Sequence, residues 1–130
     1  MGLAEKRKMR ELQETSFPER TAELLEITGA PIVYDVDWES FSDDLEALNF
    51  LDNLSCHRTN MALRVICMDD LGKEAVQEGI KSIKLTNVKS KPEMHISLGG
   101  GVLDMRCAYA LRTDGMFSDN EIREVLMKSL

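Results

Sequence analysis

Four groups of residues carry the side chains from which chemistry is usually built. The first is the stretch HISLGGGVLDM, His95 to Met105, with three consecutive glycines between apolar residues. Glycine-rich backbone cradles phosphate where a helix follows at once, because the N-terminal amides and the helix dipole then meet the anion. Here Gly101 is followed by VLDMRCAYA, a strand pattern, with no Lys-Ser or Lys-Thr ending and no G-x-G-x-x-G spacing. A hairpin fits better. With Gly100-Gly101 as a two-residue turn, Leu98 meets Leu103, Ile96 meets Met105 and Met94 meets Cys107. The glycines supply the positive φ angles that such turns need. The same register sets His95 beside Arg106 and Ser97 beside Asp104 on the other face.

The second group is Asp35, Asp37 and Glu39. On a strand, a spacing of two places carboxylates on one side, which suits a hard cation. The alternative function is therefore a small metal-assisted hydrolase using Asp35 and Asp37. IVYDVDWE is similar to the strand-end DxD of haloacid-dehalogenase-type phosphatases. Glu39, however, stands where that family carries Thr or Val, the chain is too short for that fold, and its second half reads as antiparallel. Without that context, alternating acids are the wet face of a strand.

Cys56-His57 is the third group. Neighbours on a helix point about 100° apart, so a thiol and an imidazole there do not converge. No C-x-x-C exists, and Cys67 stands too far away to complete a zinc pattern. The pair reads as a packed cysteine beside a surface histidine. His95 is different, because it falls on the polar face of a strand close to Thr86 and Arg106. The fourth group, Lys6, Arg7, Lys8 and Arg10, reads as a solvated helix face. Glu5 and Glu11 among these cations argue against a cleaved transit peptide.

The elements that must position these residues follow from periodicity. The chain has 130 residues, of which 43% are hydrophobic and 30% charged, enough for one compact domain with a real core. Aromatics are 5% and methionines number eight, so the core should rely on Leu, Ile, Val and Met. Leu3 to about Thr28 is a helical segment, either kinked near Ser16 or broken into two, with a capping box at Ser16/Glu19 and a stop at Gly29. PIVYDVDWE alternates as a strand, with Ile32, Tyr34, Val36 and Trp38 on one face. Helices follow from about Ser42 to Gly79, with uncertain joints at residues 55–60 and 70–72. Three strands come next, in SIKLTNV, EMHISL and VLDMRCAYAL. A helix capped by Ser118 and Glu121 closes the chain, with Phe117 stapled to Ile122.

The expected fold is a single α+β domain over residues 1–130, with an N-terminal helical segment at about 3–28. Its two layers are a mainly antiparallel sheet of about four strands and helices packed on one face. The late strands should form a meander, and the first should join at an edge in a direction left open. The expected binding site is the uncovered polar sheet face, with His95, Ser97, Asp104, Arg106, Thr86 and Lys84.

The net charge of −7 opposes a broad nucleic-acid or anionic-membrane surface. No apolar run is long enough for a signal-peptide core or a membrane span. Three cysteines without close spacing describe no disulfide framework and fit a reducing, cytoplasmic compartment. No assembled catalytic constellation and no cofactor motif is visible. The expected function is accordingly a small cytoplasmic binding or protein-interaction module without catalytic activity. A protein partner or self-association as a homodimer is its expected form of binding. The eight methionines also permit an adaptable docking surface.

Overall fold

The computed structural model describes residues 2–130. Leu3 to Thr28 runs as one helical rod, with α1 (Leu3–Glu11) and α2 (Phe17–Thr28) joined by a wide π turn at Leu12–Ser16. The wide turn sits just before Pro18, which lacks an N–H and would press its ring on the carbonyl four residues back. Ser16 therefore lies inside the rod with helical φ and ψ and caps nothing. The expected capping box at Ser16/Glu19 is not formed. Gly29, at φ 71°, ends the rod where the sequence places its stop.

β1 (Val33–Val36) is shorter than the alternation suggests, because Asp37 opens a 3₁₀ turn over Trp38–Phe41. α3 (Leu45–Leu51) and α4 (Arg58–Ile66) again form one rod, through a wide turn at Asp52–His57. α5 (Asp70–Gly79) packs close behind it. A Cβ on Gly72 would lie 1.9 Å from the Ile66 carbonyl oxygen, so only glycine lets the start of α5 touch the end of α4. β2 (Ser82–Asn87), β3 (His95–Gly99) and β4 (Val102–Cys107) precede α6 (Asp119–Ser129), whose Ser118/Glu121 capping box forms as the sequence indicates.

The fold is α+β, with a four-stranded sheet among the described residues in the order β1-β2-β4-β3. The hairpin register is the one read from the sequence at Leu98 opposite Leu103 and Ile96 opposite Met105, with Gly100 and Gly101 turning at φ 59° and 82°; the expected Met94–Cys107 pair is not formed, because Met94 closes a 3₁₀ turn before β3 begins. The expected meander is not formed either. The sheet is mixed and mostly parallel: β1 runs parallel to β2, and β2 parallel to β4. β4 inserts between β2 and β3, and burial explains why. Leu103, Met105 and Cys107 of β4 are wholly buried, whereas Ile96 and Leu98 of β3 are only partly covered. The more apolar strand takes the centre, and the strand ending in glycines takes the edge. Residues 88–94 need only span two strand spacings, about 10 Å, to carry the chain past the vacant place. The long helical stretch between β1 and β2 supplies the crossover that a parallel pair requires.

The helices cover one sheet face. The core joins Ile83, Leu85, Leu103, Met105 and Cys107 to Leu24, Leu48, Leu51, Leu63, Ile122 and Leu126. One end of this core is aromatic. Tyr34, Phe17, Trp38, Phe41 and Tyr109 form a chain with successive ring centroids 5.4–6.5 Å apart. Composition alone hides this, because few aromatic residues gather in one place.

Candidate functional site

Three places in the fold bring chemistry-bearing side chains together. The uncovered sheet face is the first, and it assembles all six residues expected there. In the register, Asp35, Lys84, Asp104 and Ser97 lie side by side across the four strands, and Thr86, Arg106 and His95 form the next row. Faces alternate along each strand, so these two rows are polar while their neighbours on the far face are buried in β2 and β4 and partly buried in β1 and β3. The contacts within it are modest. Arg106 Nη2 lies 3.4 Å from Asp104 Oδ2, and His95 Nε2 lies 2.9 Å from Ser97 Oγ. Asp104 Oδ1 is covered and has no hydrogen-bond partner. These residues share an open face of a sheet and not a concavity, so nothing around them would exclude water from a reacting group.

The metal alternative does not assemble. Asp35 lies at the sheet edge, Asp37 at the strand exit and Glu39 in the 3₁₀ turn. The Asp37 amide donates to the Leu85 carbonyl, and its own carbonyl accepts from the Ser40 amide and hydroxyl. The strand ends before its alternation can line up three carboxylates. Among the described residues, no group of three His, Cys, Asp or Glu side chains is arranged to hold a metal ion.

A polar tie between helices is the second place. Arg20 on α2 makes two parallel bonds to Asp52 at the start of the second wide turn, Nε to Oδ1 at 2.9 Å and Nη2 to Oδ2 at 3.2 Å. It also reaches Glu23 at 3.3 Å. Asn60 Nδ2 donates to Glu23 Oε1 at 2.7 Å, and the Tyr34 hydroxyl donates to Asn60 Oδ1 at 2.6 Å. The bond to Asp52 and the two nearby carboxylates outweigh burial and raise the Arg20 pKa above its ordinary value. Burial alone would raise the Glu23 carboxyl; the Asn60 amide and the Arg20 and Arg64 guanidiniums overcome it and hold the group below its ordinary value. Burial pushes the Tyr34 phenol well up. With donors and acceptors already matched to each other, this network ties α2 to α3–α4 and leaves little free for a substrate.

Cys56 is buried beside the same network, and burial pushes its thiol well above its ordinary pKa. His57 is half-buried at the end of the wide turn. A thiol protected in this way is a poor nucleophile.

The third place is a groove between the end of α4, the start of α5 and the end of α6, about 530 Å³ in volume. Val65, Ile66, Leu71, Ala75, Met127 and Leu130 line it, with Asp69 and Arg123 as its charged members. The Asp69 side chain accepts from the Gly72 amide at 2.6 Å and so caps α5 at the groove wall. Large apolar side chains of its lining stand proud: Leu71 is 78% exposed, Met127 69%, Val65 46% and Leu130 38%. Scattered exposed leucines are ordinary on a protein surface, but several around one concavity are not.

Comparison of the chain with known proteins finds no matching family model, no matching curated protein and no matching solved structure. Among the described residues, no helix is long and apolar enough to cross a membrane.

The groove is the feature that sequence reasoning largely missed. Its signal was present but faint. Met127 falls outside the Ile122/Leu126 stripe of α6, and Leu71 falls outside the face of α5 that carries Val76. Out-of-phase apolar residues on two helices mark a second apolar surface only once those helices are known to end beside each other and beside α4.

Proposed function

We propose that this protein is a small protein-interaction module that receives its partner in the apolar groove between α4, α5 and α6. The observation that carries the proposal is the cluster of exposed Met and Leu side chains around a concavity. Their exposures amount to about two large aliphatic side chains left wholly in water, and burying each would contribute about 1.5–3 kcal/mol. A partner that covers the groove recovers that free energy; water does not. Methionine suits such a surface because its unbranched, polarizable chain adapts to the shape it meets.

The polar sheet face takes a lesser part in this reading, as a solvated surface flanking the module. The net charge of −7 disfavours nucleic acid and anionic membrane as partners. Three unpaired cysteines support a reducing, cytoplasmic setting. The module needs no cofactor and performs no catalysis of its own.

The test is affinity capture with three baits: the natural chain, Leu71→Glu with Met127→Glu, and Lys84→Glu with Arg106→Glu. A protein held by the natural chain and by the sheet-face bait, but lost from the groove bait, is the expected result. Identical captures by all three baits would remove the groove from the function.

A further inference from the structure

Residues 108–115 connect β4 to α6, and Arg112 lies within them. It is the one residue other than glycine, among those described, with a positive φ. At φ 58° and ψ −131° it occupies a region that is nearly glycine's alone. The reason is steric, since Cβ there crowds the neighbouring backbone. An arginine should disfavour this arrangement about 5- to 150-fold against a relaxed turn. Something must hold it in place.

The Arg112 side chain does so through two contacts with α3. Its Nε and Nη2 donate to Glu46 Oε1 at 3.1 and 2.9 Å, and its guanidinium carbon lies 5.3 Å from the centre of the half-buried Phe50 ring. Glu46 and Phe50 stand four residues apart on one helix face, so a single guanidinium reaches both. The pair is open to water, with the Arg112 side chain 66% exposed and that of Glu46 48%. An exposed ion pair favours contact about 1.4- to 5-fold, and an exposed cation–π contact about 2- to 5-fold. Their product, about 3- to 25-fold, falls within the range of the strain that opposes it. Neither side wins by a wide margin.

The base of the segment is firm where its tip is not. A Cβ on Gly115 would lie 1.8 Å from the Ala108 carbonyl oxygen, so the two ends of the segment touch. The same carbonyl accepts from the Leu111 amide at 2.9 Å. A segment whose ends meet can lift its tip without moving the strand before it or the helix after it.

We infer that residues 108–115 are a strap with two arrangements: latched on α3 by Arg112, or lifted, with the Arg112 backbone relaxed and Phe50 bared. Ionic strength is the signal that shifts the balance. Salt screens an exposed ion pair and leaves backbone strain untouched, so it favours the lifted form. None of these residues lines the groove, and the strap does not rest on the interaction-module reading.

Amide hydrogen exchange of the full chain tests it, with the Leu111 amide reporting the strap and the β4 amides reporting the fold. In the natural chain Leu111 should exchange faster than β4, and at least about twofold faster at high salt than at low, with β4 unchanged. Arg112→Ala keeps the strain and loses the latch, so Leu111 should exchange at least about fivefold faster than in the natural chain. Arg112→Gly loses both, and Leu111 should exchange at least about fivefold more slowly than in the alanine variant. Glu46→Ala should speed Leu111 at low salt and remove most of the salt response. Equal exchange in the alanine and glycine variants overturns the inference, because strain then has no part. So does a Leu111 amide that ignores salt in the natural chain, and so does one that exchanges only together with β4.

Discussion

The open sheet face and the helical groove are two uncovered surfaces of one small fold, and they manage exposure in opposite ways. The sheet face shows water what water solvates well: Asp35, Lys84, Thr86, Arg106 and His95, loosely paired among themselves. The groove shows water Leu71, Met127 and Val65, which water solvates badly. Both are missing a covering layer, but only the second incurs a free-energy cost for it. An uncovered surface is therefore informative about function in proportion to what its exposure costs. The many polar side chains on the sheet make it look like a site, and the apolar ones between the helices make the stronger claim.

The comparison breaks most sharply at Gly72. Gly72→Ala sets a methyl group against the Ile66 carbonyl oxygen, forces α5 away from α4 and should cost about 2–3 kcal/mol of stability. Urea unfolding measures the loss. Amide spectra should show the largest shifts around the groove and small ones at Lys84, Asp104 and Arg106. Equal disturbance on both surfaces would mean that they are not independent.

Acid should act next, and from the helical side. Burial would raise the Asp44 carboxyl, yet Lys89 at 2.8 Å, the Ala47 amide and the Asn87 amide hold it below its ordinary value, as Asn60 and the arginines hold Glu23. Groups whose folded pKa is depressed add stability above their unfolded pKa values, close to 4.5 for Glu and 3.8 for Asp, and lose it as pH falls through the folded ones. The urea midpoint should therefore hold from neutral pH to about 5 and fall below about 4. Glu23→Gln with Asp44→Asn should flatten that fall. An unchanged slope in the double variant would place the acid sensitivity elsewhere.

Thiol labelling sharpens the contrast at a smaller scale. Cys67, half-buried at the end of α4, should react first with a thiol reagent at neutral pH, although burial raises its pKa too. Cys56 is buried, and burial pushes the Cys107 thiol up to about 11, so both should wait for denaturant. Rapid labelling of Cys56 in the folded chain would show that the helical layer opens more readily than its packing suggests. The smallest effect belongs to the sheet face. Arg106→Ala removes a partly exposed pair 3.4 Å long and should change stability by no more than about 0.5 kcal/mol. A larger loss would mean that Asp104, with one covered oxygen unpaired, depends on that guanidinium.

Local order was legible wherever the signal lies within a few residues. Gly100-Gly101 and the apolar alternation on either side set the hairpin register, because a slip of one residue would turn Ile96, Leu98, Leu103 and Met105 to water. Ser118 and Glu121 marked the start of α6, and Gly29 the end of α2. The sheet-face residues also share one face in the register, since period two assigns a face without knowledge of strand order. Pro18 shows where this reading ends. The sequence offered a kink or a break near Ser16, and the fold answers with a π turn that carries the helix through.

The sequence by itself determined the elements, the face each strand buries and the hairpin that joins the last two strands, because those depend on backbone geometry and nearest neighbours. Only the tertiary structure decided that β4 lies between β2 and β3, which depends on how much apolar area each strand brings to a shared core. The groove was settled at the same level. Leu71 stands far along the chain from Met127 and Leu130, and nothing local to any of them says that three helix ends meet. Burial is a property of the assembled layers, and so is its absence.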